Sequence, residues 1–219
     1  MQWAIFDGVA DADVQQVLAI ARRRRFAKGE VVFHAQDPAD TIHLIERGRF
    51  AVRVQTPYGD TAVLTVLGPG DLFGELALLG PDGRRTATVE SLETGEPRSI
   101  LHDDFHALRR RYPGVNEVLI AILVGEVTRL SRHLLDALYV GVDSRVRRRL
   151  LELVAVYGDG GDGEVTIPLR QEDLAGLAGT SRATVNRVLR EEEGRGALRL
   201  ARGRVVVCDR DGIEARCRI

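Results

Sequence analysis

The sequence predicts an α+β protein in which a long helix joins two domains. Between residues 31 and 100, short β-rich runs alternate with glycine and proline turns, a rhythm typical of a compact antiparallel roll or barrel. From Pro113 to Val140, apolar residues recur at steps of three and four, which is the period of a helix. A helix, turn, helix pattern then follows at residues 171–189. The 219 residues exceed one average domain and suit this division.

We expect residues 1–112 to form the first domain. It opens with a predicted helix over residues 11–25 that ends in four consecutive arginines. We interpret these arginines as a solvated helix end stabilised by the helix dipole, with a polyanion contact as the alternative. The apolar side of this helix consists of Val14, Val17, Leu18 and Ala21. The predicted strands are residues 31–33, 41–45, 50–54, 62–66, 86–89 and 98–101.

The long helix is predicted over residues 113–140 and carries a heptad seam. The seam consists of Ile120, Leu123, Val127, Leu130, Leu134 and Ala137. Such a helix could lie on its own domain as part of the core, but a sustained seam between two domains favours pairing with a second copy. The seam therefore predicts a homodimer.

A hinge is predicted at residues 141–143, because glycine ends helices, and a second domain at residues 144–219. We expect Ser144 to cap the next helix, whose apolar stripe consists of Val146, Leu150, Leu153 and Val154. This domain holds 15 Arg and 12 acidic residues, a net charge of +3, whereas the preceding 143 residues carry a net charge of −4. The basic bias is compatible with nucleic-acid binding but does not establish it.

Residues 72–87 combine groups that suit a bound sugar phosphate. The turn at residues 81–83 reverses the chain and returns Arg85 and Thr86 towards Gly74 and Glu75. Gly74 allows backbone N–H groups to approach an anion, and a short helix starting there would add its positive end. The carboxylate of Glu75 can accept hydrogen bonds from sugar hydroxyls, while Arg85 and Thr86 can hold phosphate oxygens. The alternative is an ordinary hairpin with a surface ion pair.

This segment resembles the phosphate-binding cassette of cyclic-nucleotide-binding domains. Residues 73–76, Phe-Gly-Glu-Leu, precede residues 85–87, Arg-Thr-Ala, at the family's spacing. The resemblance implies that Glu75 binds the ribose 2′-hydroxyl and that Arg85, Thr86 and the amides of Gly74 and Glu75 bind the cyclic phosphate. Arg84 is outside the pattern and is expected to be solvated. The nucleotide-site residues predicted in this way are Gly74, Glu75, Leu76, Arg85, Thr86, Ala87, Leu130 and Ser131.

The last two of these residues correspond to the family's adjacent Thr and Ser on the long helix, which contact the purine, the Ser from the opposite subunit. Ser131 keeps the hydroxyl, but Leu130 cannot hydrogen-bond to adenine, and the nearby Thr128 lies on another face. The resemblance therefore implies a weaker or rearranged purine contact. This departure leaves open a different nucleotide, or DNA binding without any ligand.

In the helix, turn, helix pattern, the positions with particular structural requirements carry residues that meet them. Small Ala175 lets two helices cross closely, Gly179 permits a left-handed turn, and Ser181 caps the second helix. We expect the apolar side chains of Leu174, Val185 and Val188 to pack between the two helices. Arginine and asparagine side chains then occupy the outer face, where they can donate hydrogen bonds to a major groove.

The run at residues 181–187, Ser-Arg-Ala-Thr-Val-Asn-Arg, resembles the recognition helix of the catabolite activator protein and FNR (CRP/FNR) family of bacterial transcription regulators. Residues 197–208 resemble the β-hairpin wing of the family's winged helix. The family usually has Glu where this chain has Ala183, so we expect a shifted or relaxed base preference there. We assign Arg182 and Arg187 to guanine edges, and expect loss of the Arg182 side chain to cost on the order of 1–3 kcal/mol at a specific site. The predicted DNA-binding residues are Arg170, Gln171, Ser181, Arg182, Ala183, Thr184, Asn186, Arg187, Arg202 and Arg204.

The two resemblances together imply a homodimeric, sequence-specific transcription regulator, not an enzyme, whose binding to a palindromic operator is controlled allosterically by a cyclic nucleotide. We expect cAMP, with RNA polymerase as a further partner. The alternatives are the same architecture with no ligand or another nucleotide, and a nucleotide-regulated subunit of an enzyme complex.

Other classes of site have little support in the sequence. Cys208 and Cys217 are too few and too late in the chain for an iron–sulfur cluster or a disulfide framework, and we expect reduced thiols. His102 and His106 lack further ligands at a metal-binding spacing. Heme-sensing relatives use Cys or His near the cassette, where this chain has residues 76–78, Leu-Ala-Leu. We therefore expect no metal, heme or cluster.

Without an evident secretory signal or a bilayer-spanning apolar run, we expect a cytoplasmic protein that does not bind membranes.

Overall fold

A computed structural model describes residues 3–56, 59, 61–158 and 163–217. It has two compact units, one formed by Met1–Arg53 with Leu67–Leu130 and the other by Val54–Val66 with Ser131–Ile219. After a 3-10 turn at Ala4–Phe6, the helices are α1 (Asp11–Ile20), α2 (Glu75–Leu79), α3 (His102–Arg111), α4 (Gly114–Tyr139), α5 (Val142–Tyr157), α6 (Gln171–Ala178), α7 (Arg182–Gly194) and α8 (Arg210–Ala215). The strands are β1 (Arg22–Arg23), β2 (Val31–Phe33), β3 (Thr41–Arg47), β4 (Phe50–Gln55), β5 (Thr61–Leu67), β6 (Leu72–Phe73), β7 (Thr88–Ser91), β8 (Glu96–Leu101), β9 (Val165–Ile167), β10 (Leu198–Ala201) and β11 (Arg204–Val207). Among these residues, no helix is long and apolar enough to cross a membrane.

The strands of the first half form the predicted antiparallel roll. One sheet has the order β1-β8-β3-β6 and the other the order β2-β7-β4-β5. In the first sheet Ile42 pairs with Ile100 and Leu44 with Arg98, and residues 42–45 are all buried, with Ile42 and Leu44 in one apolar cluster and Ile45 in another. The indole N–H of Trp3 donates a hydrogen bond to the carbonyl oxygen of Ile45 at 3.1 Å. All six predicted strands are present, with ends that differ by at most two residues.

The prediction that residues 22–25 end the first helix is wrong. Helix α1 ends at Ile20, and buried Ala21 is already in the extended conformation. Arg22 and Arg23 then form β1 and pair with Ser99 and Arg98 of β8. Pairing with β8 gives the backbone of this segment hydrogen-bond partners outside a helix, and the amide of Arg24 continues the pairing with the carbonyl oxygen of Pro97 at 3.1 Å.

Helix α4 carries an exposed apolar stripe. Ile120, Val127 and Leu134 of the predicted seam are 54%, 64% and 60% exposed, whereas Leu123 is half-buried. Val124 and Leu138 are exposed in its place, at 59% and 63%. Five of the six predicted seam residues are therefore exposed, and exposed Ser131 lies beside them, four residues after Val127 and three before Leu134.

Helix α5 begins earlier than predicted, and Ser144 does not cap it. The helix starts at Val142, and Gly141 is the N-cap residue without a side-chain hydrogen bond. Ser144 and Asp143 both lie in the first turn, so of the predicted hinge residues only Gly141 is outside the helix. Val146, Leu150, Leu153 and Val154 form the predicted buried stripe. The stripe packs with α6, α7 and a sheet of order β10-β11-β9.

Candidate functional site

Gly74 forms the turn between β6 and α2 in a conformation that favours glycine. Its φ is +92°, and a Cβ there would lie 2.6 Å from Nη1 of Arg85 and 3.1 Å from the carbonyl oxygen of Thr41. After the turn at residues 81–83, Nη1 of Arg85 donates a hydrogen bond to the carbonyl oxygen of Gly74 at 3.2 Å. The chain therefore returns Arg85 to Gly74, as the sequence predicts.

The guanidinium of Arg85 is buried and held mainly by uncharged groups. Nη1 and Nη2 donate to the carbonyl oxygen and to Oγ1 of Thr41 at 2.8 and 2.9 Å, and Cζ lies 4.1 Å above the ring of Phe33. The carboxylate nearest to it is that of exposed Asp40, 3.5 Å from Nη2, and Nε is buried without a hydrogen-bond partner. Burial lowers the pKa of Arg85 despite the opposing field of Asp40. The arginine remains charged, because a guanidinium is not deprotonated in proteins.

His43 lies beneath this arginine and was not identified from the sequence. Its Nδ1 is 2.9 Å from Oγ of Ser99, its Nε2 is 3.2 Å from Oγ1 of Thr41, and its ring stacks on Phe73. Burial lowers the pKa of His43 to about 3, with a further contribution from the charge of Arg85. A neutral histidine therefore orients Thr41 without adding positive charge. A polar residue inside the otherwise apolar β3 run was the one signal for it in the sequence.

Glu75 begins α2 and is only 9% exposed. Burial and, to a lesser extent, the charge of Glu126 on α4 raise the pKa of Glu75 to about 7, although a backbone hydrogen bond and the charge of Arg85 oppose the increase. Burial and Glu126 also raise the pKa of Asp71. Glu126 itself pairs with Arg129 at 2.6 Å. The pocket therefore contains carboxyl groups whose protonation depends on their neighbours, and the sequence pattern had not indicated Glu126.

The other predicted nucleotide-site residues differ in exposure. Thr86 and Leu76 are exposed, and Ala87 is buried. Leu130 on α4 is 45% exposed and Ser131 is exposed. The hydroxyl of Thr128 donates to the carbonyl oxygen of Val124 at 2.8 Å, within its own helix. Thr128 is therefore engaged by its own backbone and does not replace the hydroxyl that Leu130 lacks.

Helices α6 and α7 form the predicted helix-turn-helix. Gly179 ends α6 in the left-handed conformation with φ of +59°, and Oγ of Ser181 accepts a hydrogen bond from the amide of Thr184 at 3.2 Å. Leu174, Val185 and Val188 are buried between the helices. The predicted roles of Gly179 in the turn, of Ser181 as the cap and of the apolar contact between the helices are thus confirmed.

The outer face of α7 carries exposed polar side chains, several of which are paired. Arg182 donates to Glu172 at 3.2 Å, and Gln171 donates to Asn186 at 3.2 Å. Arg187 pairs with Asp143 and with Glu191, and its hydrogen bonds lower the pKa of Asp143. Exposed Ala183 and half-buried Thr184 complete the first turn.

The hairpin of β10 and β11 lies beside the start of α7. Gly203 turns the hairpin with φ of +72°, and Arg202 and Arg204 on either side of it are exposed. These two arginines line a cavity of about 330 Å³ together with Arg170 and Arg182. Glu172 lines the same cavity and pairs with Arg182, but the excess of arginines over this one carboxylate would attract the phosphates of a nucleic acid backbone.

A buried carboxylate fixes the far end of α7. Glu192 is fully buried and accepts hydrogen bonds from Arg147 of α5 at 2.8 Å, from Arg195 at 3.2 Å and from Arg216 at 2.5 Å. Although burial opposes ionisation, the hydrogen bonds from Arg216 and Arg147 lower the pKa of Glu192. The helix that presents the outer face is therefore anchored to α5 by charge-assisted hydrogen bonds.

The remaining metal and thiol candidates do not form a site in the part of the chain that the structure describes. The rings of His102 and His106 are 4.2 Å apart, but no group of three or more potential metal ligands occurs among the described residues. Cys208 and Cys217 are both free.

Two family matches cover most of the chain. The family described as "Cyclic nucleotide-binding domain" matches residues 23–112, and the family described as "Crp-like helix-turn-helix domain" matches residues 144–216. The first match contains the Gly74 turn and the second contains α6, α7 and the β10–β11 hairpin.

Whole proteins also resemble the chain over nearly its full length. The "CRP-like cAMP-activated global transcriptional regulator" of Mycobacterium tuberculosis is 31% identical over 216 residues, which cover 98% of this chain and 96% of that protein. The "Cyclic AMP receptor protein" of Thermus thermophilus is 33% identical over 203 residues, which cover 93% and 91%. The solved structure of FixK2 from Bradyrhizobium japonicum has the same fold, with a TM-score of 0.79, 20% identity and coverage of 90% of this chain and 96% of that one.

Proposed function

We propose that the chain is a homodimeric regulator whose affinity for a DNA operator is set by cAMP. The premise is that it belongs to the CRP/FNR family of transcription regulators. A regulator of a bacterial chromosome would act in the cytoplasm. The alternative of an enzyme subunit is set aside, because the matched families and relatives are transcription regulators.

The arrangement around Arg85 is the observation that carries the nucleotide proposal. Its guanidinium is charged and anchored by uncharged groups, and its Nε is buried without an acceptor. Exposed Thr86 is adjacent in sequence and offers a hydroxyl, while Glu75 offers a carboxyl group for a ribose hydroxyl. Two relatives at 31% and 33% identity carry names that refer to cAMP.

Another nucleotide, or no nucleotide, is the second candidate. Leu130 offers no hydrogen bond to a purine, and the hydroxyl of Thr128 is engaged within its own helix. Glu126 adds negative charge near Glu75, which an anionic ligand would have to overcome. These observations favour a rearranged base contact and make cGMP a necessary comparison.

Calorimetric titration with cAMP and cGMP would test the nucleotide proposal directly. We expect saturable binding of cAMP to the full chain, and at least tenfold weaker binding to Thr86→Ala, because a hydrogen bond to a charged phosphate is lost. Arg84→Ala is the matched control, since Arg84 is exposed and donates to the carbonyl oxygen of Gln36. Tighter binding of cGMP would support the second candidate, and binding of neither nucleotide would support ligand-independent action.

The exposed apolar stripe of α4 supports the dimer, because Ile120, Val124, Val127, Leu134 and Leu138 present apolar surface along one side of a single helix. Two copies paired about a two-fold axis would cover the stripe and bring two recognition helices to successive major grooves. The operator would then contain palindromic half-sites about one helical turn apart. RNA polymerase would be the partner through which such a regulator acts on transcription.

The exposed arginines of α7 and of the hairpin support operator binding. We expect Arg182→Ala to weaken binding to an operator selected from random duplexes by about 1–3 kcal/mol and to relax one base preference. Arg210→Ala is the control, because Arg210 is an exposed arginine on α8 and lies outside the predicted DNA-binding set. Equal losses for both variants would indicate that charge alone, and not base recognition, explains the effect.

A further inference from the structure

Arg187, which the proposed function assigns to a base edge, is held by two carboxylates. Its Nη1 donates to Oδ2 of Asp143 at 3.1 Å, and its Nη2 donates to Oδ1 of the same carboxylate. Nη1 also donates to Oε1 of Glu191 at 2.7 Å. Asp143 lies in the first turn of α5 and Glu191 lies one turn along α7, so the contacts come from two different elements.

These contacts use only part of the guanidinium. A guanidinium has five N–H donors, and the two carboxylates take both donors of Nη1 and one donor of Nη2. The donors that remain are the N–H of Nε and the second N–H of Nη2. They are parallel and lie on one edge of the planar group, which is the geometry required to bind two acceptors at once. Guanine presents such a pair, N7 and O6, in the major groove.

We propose that Asp143 is a positioning residue for base recognition, which together with Glu191 holds the guanidinium of Arg187 so that its Nε and Nη2 edge is available to a guanine. The inference rests on the proposed assignment of Arg187 to DNA. An arginine side chain has many rotamers, and fixing one of them before DNA binds removes part of the entropic cost of the contact.

The charge of Asp143 gives the proposal a distinctive consequence. A carboxylate near DNA phosphates is unfavourable for binding to any duplex, irrespective of sequence. Removing that charge should therefore leave nonspecific affinity equal or higher. If the carboxylate positions Arg187, the same change should lower discrimination at one base pair. We therefore expect nonspecific affinity to stay equal or rise while discrimination at that base pair falls.

The test measures binding of the full chain, with cAMP present, to a duplex selected from a random library and to its single-base variants. We expect Asp143→Asn to lower discrimination at the base pair read by Arg187 by about tenfold, without weaker binding to an unrelated duplex. Asp143→Glu, which keeps a carboxylate, should retain more discrimination than Asp143→Asn. Asp211→Asn removes an exposed acid from α8 and should leave discrimination unchanged.

Two further variants separate failure of the inference from failure of the proposed function. Arg187→Ala should lose the same base preference, and adding Asp143→Asn to it should cause no further loss. If Arg187→Ala keeps the preference, both the base assignment and the inference are wrong. If Arg187→Ala loses it but Asp143→Asn keeps it while binding every duplex more tightly, Asp143 competes with DNA for Arg187, and the positioning role is overturned.

Discussion

At the scale of single residues, the pocket depends on buried groups whose charge is set by their surroundings. Burial and repulsion from Glu126 raise the pKa of Glu75, whereas burial and the charge of Arg85 keep His43 neutral. The first effect makes a carboxyl group titrate near neutral pH, and the second means that His43 adds no positive charge beside Arg85. Both effects have consequences that can be measured.

The first consequence concerns stability. The pKa of Glu75 is raised from 4.5 to about 7, so between these pH values the folded protein holds a proton that the unfolded chain has released. Below about pH 6.5 the lowered pKa of His43 should make the free energy of unfolding rise with pH, and against this rise Glu75 should contribute a decrease of up to about 3 kcal/mol across its window. Glu75→Gln should lack this decrease in urea denaturation between pH 4.5 and 8. Glu117→Gln, at an exposed carboxyl group of α4, is the control and should keep it.

The second consequence concerns the nucleotide. If the Glu75 carboxylate accepts a hydrogen bond from the ribose, its proton must leave before cAMP binds. With its pKa at about 7, the affinity for cAMP should fall about tenfold from pH 8 to pH 6. Calorimetry in buffers of different ionisation enthalpy should also detect proton release. An affinity independent of pH would mean that Glu75 does not bind as a carboxylate.

At the scale of helices and strands, the sequence was sufficient where a pattern is long and local. The helix α4 and the pair α6 and α7 follow from repeated apolar spacing and from a glycine with a required φ. Two-residue strands such as β1 and β6 contain too few residues to show a period, and they were missed. The support of Arg85 was also missed, because Thr41 is 44 residues away and meets it only through strand pairing.

The turn between α6 and α7 allows a prediction that isolates backbone conformation. At Gly179, φ is +59° and a Cβ would meet no atom within 4 Å, so Gly179→Ala adds strain without a clash. We expect a cost of about 1–2 kcal/mol, measured by amide hydrogen exchange in α6 and α7. Gly194→Ala, at the exposed end of α7, also meets no atom and should instead stabilise the helix slightly. Equal effects of the two changes would contradict the assigned role of the turn.

Helix α4 allows a prediction about self-association. Val127→Glu places a charge in the middle of the exposed apolar stripe, where a partner helix would have to desolvate it, and the dissociation constant of the dimer should rise by about two orders of magnitude. Ala121→Glu adds the same charge to the same helix, at an exposed position away from the stripe, and should have little effect. Sedimentation that shows a concentration-independent monomer for the unmodified chain would overturn the dimer.

At the scale of the whole molecule, the groups proposed to bind the nucleotide and those proposed to bind DNA belong to different parts of the chain. The proposed nucleotide site consists of β3, α2 and the segment around Arg85, while the proposed DNA-binding face consists of α6, α7 and the β10–β11 hairpin. Regulation requires only that the two sites be linked thermodynamically. A ligand can change the free energy of DNA binding only because it binds one arrangement of the protein more tightly than another. The change cannot exceed the difference between its binding free energies for the arrangement that binds DNA and for the arrangement that does not.

This linkage predicts a reciprocity. If cAMP raises operator affinity by a factor of about 5–150, the operator must raise cAMP affinity by the same factor, and fluorescence titrations in both directions should agree. Arg182→Ala should weaken operator binding equally with and without cAMP and leave the factor unchanged, because it alters a DNA contact alone. Val127→Glu should reduce the factor, since a monomer presents only one recognition helix to the operator. A factor of one in the unmodified protein would remove cAMP as the regulator and favour ligand-independent binding.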